Sequence, residues 1–503
     1  MGKSIAIKNL KSNITFRLSY VLIQFFSSFF LIPFYLENFS LEVYGIWILA
    51  SSISGWLLLI DPSSNHLIVQ QISKNVSKTT KINNIISASI INSLVISLFI
   101  IIIGNYFLIP LISFFLNSDE LIYPFYNILQ LSIINIALLV IINCLTGIFE
   151  GMLKIKKFSN YLLIFLIIKI LLIIILVKNN IGIQSIIIAE ICINILAIIY
   201  LIFNLFNRYI FLKTIFKLKF SNYKKFSKLF AYNYGGRLSK VFTSGGFNPF
   251  LIGKFVNIEL IAVFNLTETL PKKIENISGL LSTSARSSMA YVLNKKPKKF
   301  QSKLISTTAY FSIIVSIYIY FLLYDTIQPF LKLWLSNKVI LDQSFITLIV
   351  MISSMRILNF SIESILFNNN QIKFVNNIRI VQSLILIPLL FIFTFYYQLY
   401  GLLISYLICQ LIVFPLLFSK IIFHFEYNRE LKFFLFKIIF LILSIFTFSI
   451  FYKFIFFNIN FQINDWQNLI FVLLMKSTYY LFALFLIDRN LKINLIKLFK
   501  DLD

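Results

Sequence analysis

Fourteen apolar runs, each long enough to cross a bilayer, follow one another along this chain with only short polar segments between most of them. They lie near residues 14–35, 42–60, 84–109, 123–147, 159–177, 181–206, 229–253, 257–290, 304–325, 341–367, 375–397, 400–423, 433–457 and 466–487. A helix needs roughly 20 apolar residues to span about 30 Å of hydrocarbon, so fourteen spans consume roughly 280 residues. In a chain of 503 residues this leaves loops and no sizeable soluble domain. Composition agrees, with 59% hydrophobic and 13% charged residues, against about a quarter charged in an ordinary soluble domain. Only helices or a closed barrel satisfy their own backbone inside lipid. Unbroken runs such as Leu98–Ile103 and Ile170–Val177 lack the alternation of a barrel strand. The expected fold is an all-α polytopic membrane protein of about 14 transmembrane helices.

Lysine and arginine outnumber aspartate and glutamate by 45 to 19, a formal charge of +26. In a soluble protein that excess would suggest nucleic acid, but here its distribution points elsewhere. The first apolar run follows Lys3, Lys8 and Lys11 and has no small-residue cleavage site after it, so it reads as a retained span. Counted from there on alternate sides, one set of loops collects thirty-two basic residues and the other five, Lys178, Lys254, Lys332, Lys338 and Lys453. The rule that cytoplasmic loops hold the positive charge then places both termini in the cytoplasm. The opposite loops, such as Glu37–Leu41 and Gln398–Leu399, are short. Cys144, Cys192 and Cys409 fall in separate apolar runs and read as packing residues, and with two isolated histidines, His66 and His424, the chain shows no metal-ligand spacing.

A shift of 220 positions aligns Arg17-Leu18-Ser19 with Arg237-Leu238-Ser239 and Phe30-Leu31-Ile32 with Phe250-Leu251-Ile252 without a gap. The repeat pairs span 1 with span 7, so both copies run in the same direction, as in two-lobed transporters related by an axis along the membrane normal. The expected organisation is an N-terminal lobe (1–206), a basic cytoplasmic linker (207–228), a C-terminal lobe (229–423), and two further spans with a tail (424–503). Spans 13 and 14 would then lie outside a twelve-span core. The linker carries seven basic residues and suits anionic inner-leaflet lipid.

Charges inside spans are expensive and point to function or to pairing. Eight basic residues fall there, Lys169, Arg237, Lys240, Lys272, Lys273, Arg286, Arg356 and Lys476, against Glu190, Glu268, Glu275 and Glu363. Lys169 and Glu190 sit at similar depth in adjacent antiparallel spans, the pattern of a structural ion pair. Arg356 with Glu363, and Glu268 with Lys272, share helical faces. Lys476 reads as a residue that snorkels or meets lipid. Arg237, Lys240, Arg286 and one of Lys272 or Lys273 remain, on spans 7 and 8, where Gly235-Gly236, Gly245-Gly246, Gly253 and Pro271 allow bending. Arg17 and Arg286 also suit interfacial positions near the cytoplasmic rim. A cationic, water-lined cavity wants an anion, and guanidinium groups grip phosphate by two-point contacts. A phosphate-bearing amphiphile with a long apolar tail fits.

Pro33-Phe34-Tyr35-Leu36, then Leu41-Glu42-Val43-Tyr44-Gly45-Ile46-Trp47, Leu59-Ile60-Asp61 and Gly147-Ile148-Phe149-Glu150-Gly151 resemble the polysaccharide-exporter branch of the multidrug/oligosaccharidyl-lipid/polysaccharide (MOP) transporter superfamily. The resemblance covers about the first 290 residues by motif and the rest by span count. It implies a MATE-like fold of two six-helix lobes plus two C-terminal helices, with spans 1, 2, 7 and 8 bordering a central cavity. It implies an O-antigen-type flippase, not an enzyme, that moves undecaprenyl-diphosphate-linked oligosaccharide to the periplasmic leaflet by alternating access. Arg17, Arg237, Lys240, Lys272 and Arg286 would be head-group ligands, and Arg356 joins them as a further basic residue within the spans. Asp61, Glu268 and Glu363 would be coupling or gating residues for H+ or Na+, with no other cofactor. Partners would be the lipid-linked oligosaccharide, membrane lipids, a polysaccharide polymerase and a chain-length regulator, with no nucleic acid. The sequence departs from the pattern at Asp61-Pro62-Ser63-Ser64-Asn65 and at Pro271-Lys272-Lys273. A drug/cation antiporter would need an acidic interior, a polymerase or glycosyltransferase substantial external loops, and an anion channel leaves the repeat unexplained.

Overall fold

The computed structural model describes residues 22–60, 65, 68–69, 72, 79–108, 119–152, 155–206, 239, 241–284, 298–335, 342–368, 371–424, 437–449, 463 and 465–487. Among them every predicted span contains helix and none contains a strand. In chain order these are α1 (22–38), α2 (Leu41–Trp56), α3 (Thr79–Leu108), α4 (Asp119–Gly151), α5 (Ile155–Lys178), α6 (Gln184–Phe206) and α7 (Asn248–Phe255). They continue with α8 (Ile258–Ser284), α9 (Lys298–Trp334), α10 (Gln343–Asn368), α11 (372–397), α12 (399–424), α13 (Lys437–Ser449) and α14 (Trp466–Ile487). Eight stretches of the described residues are long and apolar enough to cross a membrane, one of them covering both α11 and α12. Leu98, Ile164, Leu171, Phe395, Phe446 and Leu481 are each more than half exposed, a surface that only lipid can cover. This is an all-α polytopic membrane protein.

Helices α11 and α12 form a hairpin rather than one rod, because Gln398 takes φ 51° and ψ −130° and reverses the chain. Contacts symmetric about the turn follow, with Ser405 Oγ donating to the Leu389 carbonyl at 2.9 Å and Cys409 Sγ to that of Gln382 at 3.6 Å. Gly401 permits the tight return, since a Cβ there would overlap the Phe393 carbonyl.

The chain divides into two compact units, residues 1–265 and 266–503. In the first, α4 packs against α2, α3, α5 and α6, and α7 packs against α2. Ile68, Ile72, Ile86, Cys144, Ile148 and Leu201 belong to one fully apolar core cluster there. Gly45 faces the backbone of Ile258, and a Cβ at this position would overlap that carbonyl oxygen. A backbone atom cannot swing aside, so Gly45→Ala is expected to cost about 1–3 kcal/mol, read as a lowered thermal midpoint in detergent. Gly55→Ala, with open space around it, is the control and should leave the midpoint in place.

In the second unit α10 packs against α9 and the α11–α12 hairpin, and α9 packs against α14. Its core joins Ile314 and Phe321 of α9, Ile362 of α10, Val375 of α11, Leu417 of α12, Leu441 of α13 and Tyr480 of α14. The two C-terminal helices thus contribute side chains to this unit's apolar core. Side chains pin them: Tyr480 Oη donates to the Ile314 carbonyl at 2.6 Å, and Tyr479 Oη to that of Ser444 at 2.7 Å. Cys144 and Cys409 are buried as expected, but Cys192 is exposed among the exposed apolar residues Ile195, Leu196 and Ile199 of α6.

Candidate functional site

In the first unit the expected Lys169–Glu190 pair is present, with Lys169 Nζ 2.5 Å from Glu190 Oε1. Helix α4 completes it. Asn135 Nδ2 donates to Glu190 Oε2 at 2.8 Å, and Asn194 Nδ2 of α6 donates to Asn135 Oδ1 at 2.7 Å. Both carboxylate oxygens are thus engaged, and three helices are tied together at the depth where unpaired charge costs most.

Span 7 is broken. A short helical stretch at 241–243 ends in a turn, Gly245 adopts φ 82°, and the chain restarts as α7 at Asn248. The sequence reading expects bending at Gly245-Gly246, and the break falls there. An interrupted helix must satisfy its freed backbone from side chains. Here Ser52 Oγ and Trp56 Nε1 of α2 both donate to the Gly246 carbonyl, at 2.6 and 3.1 Å. The indole stacks on Phe247 at 5.1 Å between centroids, and Phe247 stacks on Phe250 at 4.7 Å. Helix α2 meets Ile258 at Gly45 and Gly246 at Trp56. Those eleven residues rise about 16 Å along α2, which is the distance from the α7–α8 turn to the break. Neither Ser52 nor Trp56 stands out in the sequence as a site residue, because their partner lies 194 and 190 positions away.

In the second unit the charges of α8 and α10 meet in one cluster. Lys272 Nζ lies 2.5 Å from Glu268 Oε2, the expected i, i+4 pair. Arg356 Nη1 lies 3.8 Å from Glu268 Oε1 and 3.8 Å from Glu275 Oε1, with its guanidinium carbon 4.7 Å from the centre of the Tyr406 ring. Its side chain is 10% exposed, and Nε and Nη2 make no hydrogen bond. These two form the side-on fork of a guanidinium, the edge that receives two oxygens of a carboxylate or phosphate. Pro271 lies between Glu268 and Glu275 within α8, so Arg356 bridges both sides of the proline.

Two expected assignments are corrected here. Arg356 does not pair with Glu363, which instead receives Nη2 and Nε of Arg379 at 2.6 and 3.1 Å. Arg379 lies within α11 and turns its head inward to this carboxylate. Lys476 neither snorkels nor meets lipid: its side chain is 2% exposed, 3.5 Å from Asp325 Oδ2 of α9, and donates to the Phe321 carbonyl at 3.1 Å. Arg17, Asp61, Arg237, Lys240 and Arg286 lie outside the described residues.

No protein-family model matches the chain, and no curated protein matches it in sequence. Solved structures do match in fold. The lipid II flippase MurJ in an inward closed conformation aligns with a TM-score of 0.65 and 17% identity, over 94% of this chain and 99% of that one. A multidrug resistance MATE transporter of the MOP superfamily, inward-facing, aligns at 0.57 with 13% identity, over 83% and 99%. A mutant of the Vibrio cholerae MATE transporter VcmN aligns at 0.56 with 14% identity, over 84% and 99%. The chain has the fold shared by MurJ and the MATE transporters of the MOP superfamily.

Proposed function

We propose that this protein is a flippase for undecaprenyl-diphosphate-linked oligosaccharide repeat units, carrying them to the periplasmic leaflet of the inner membrane by alternating access. The units would serve O-antigen, capsule or exopolysaccharide synthesis, upstream of a polymerase and chain-length regulator. The observation that carries this reading is the likeness to a lipid flippase over nearly the whole of both chains. Charge supports it over a cation antiporter. Four carboxylates deep within the spans lie beside basic groups: Glu190 by Lys169, Glu268 by Lys272 and Arg356, Glu275 by Arg356, and Glu363 by Arg379. A coupling role for Glu268 or Glu363 in H+ or Na+ transport would require its pair to open.

The diphosphate would be received by Arg237, Lys240, Arg17, Arg286 and Lys272, with Arg356 joining them only where its buried Nε and Nη2 become uncovered. The test is the pool of lipid-linked oligosaccharide in a deletion strain, extracted and probed for leaflet exposure with a membrane-impermeant reagent. Complete units should accumulate facing the cytoplasm, and Arg237→Glu or Lys240→Glu should reproduce that accumulation with the protein still in the membrane. Complete, unpolymerised units on the outer face would instead establish a polymerase.

A further inference from the structure

The broken span 7 carries more than a bend. Trp56, Phe242, Phe247 and Phe250 are gathered around it, all half-buried, with centroid separations of 4.7 to 5.4 Å between the linked rings. Rings that served only as core would be closed over, as Phe125 of the same unit is at 0% exposure. The indole is fixed: its N–H is held by the Gly246 carbonyl, which the Ser52 hydroxyl holds as well. Around the rings the chain presents hydroxyls and backbone, with Ser51 half-buried and Ser244 exposed.

We infer that Trp56 and Phe247 form a stacking platform for a sugar ring of the cargo, an inference that rests on the lipid-linked saccharide reading above. A pyranose has one face of C–H bonds, which packs on the electron-rich face of an aromatic ring, and a rim of hydroxyls, which needs hydrogen-bonding neighbours. An oriented indole beside serine hydroxyls offers both. A polyprenyl tail would gain nothing from the polar rim, and a diphosphate would gain nothing from ring faces whose quadrupole repels anions. The interruption itself suits a cargo head in transit, because transporters of repeated architecture hold their substrates at discontinuous helices. The basic residues would then read the diphosphate, and this platform the first sugar.

Full-length protein in nanodiscs is titrated with undecaprenyl diphosphate and with the same lipid carrying one N-acetylglucosamine, binding being followed by native mass spectrometry. The wild type should prefer the glycosylated lipid by about 5- to 10-fold, the scale of one good stacking contact. Trp56→Leu and Phe247→Leu, which keep apolar bulk and remove a ring, should bring the two affinities within about twofold. Trp56→Phe loses the bond to Gly246 but keeps a ring face and should retain most of the preference, which separates stacking from helix repair. Equal loss of both lipids in the leucine variants, or equal affinity of the wild type for both, overturns the platform and leaves the flippase reading standing. A wild type that binds neither lipid overturns the flippase reading and the platform with it.

Discussion

Arg356→Leu is expected to destabilise the second unit by about 3–5 kcal/mol, the cost of leaving a buried charge without its partner. The loss does not fall evenly on the two carboxylates that share the guanidinium. Glu268 keeps Lys272 at 2.5 Å, whereas Glu275 loses the guanidinium 3.8 Å away. Adding Glu275→Gln to Arg356→Leu should therefore recover roughly 2 kcal/mol, while Glu275→Gln alone should cost about 1 kcal/mol or less. Unfolding of the four proteins in mild detergent completes a double-mutant cycle. If the double variant is as unstable as Arg356→Leu, the arginine acts through packing on Tyr406 and not through charge. The same cycle bears on transport, since the guanidinium ties Glu268 to Glu275 across Pro271, where α8 is free to flex because the proline supplies no N–H to the ladder.

The parts of the fold legible in the sequence are those fixed by one segment at a time. Each span must close its own backbone hydrogen bonds in lipid, so each of the fourteen apolar runs contains helix among the described residues. Gly245-Gly246 was legible as a weak point for the same local reason. Lys169 and Glu190 were also within reach, because a short loop joins their spans and depth can be counted along each. Pairings between spans distant in sequence were not. Arg356 and Glu363 share a helical face but lie about 10.5 Å apart along it, too far for a favourable contact when α8 and α11 offer nearer partners. Arg379 and Asp325 were hidden because each stands near a span end, where a charge is normally left to the loop. Lys476 looked isolated for want of Asp325. The aromatic platform depends on α2 and α7 meeting across 190 residues, which no local pattern announces.

Asp325→Asn should be the most damaging single change at the junction of α9 and α14, costing about 3–5 kcal/mol because it strands a buried ammonium. Lys476 has a 2% exposed side chain and Asp325 a 22% exposed one, and this asymmetry predicts an asymmetric outcome. Lys476→Met leaves a carboxylate with some access to solvent and a thioether that packs well in the vacated space, so it should cost about half as much. Combining Asp325→Leu with Lys476→Met replaces the pair by apolar groups of similar volume and should bring stability back to within about 1 kcal/mol of the wild type. The Lys476 ammonium also donates to the Phe321 carbonyl and lies 5.3 Å from the centre of the Phe321 ring. Loss of the pair should therefore loosen α14 from α9 before the rest of the unit unfolds. Cysteines placed on the facing surfaces of the two helices would report this as slower disulfide formation in Asp325→Asn and restored formation in the double variant. Equal costs for the two single changes, or strictly additive costs in the double, would show that the two charges do not act as a pair.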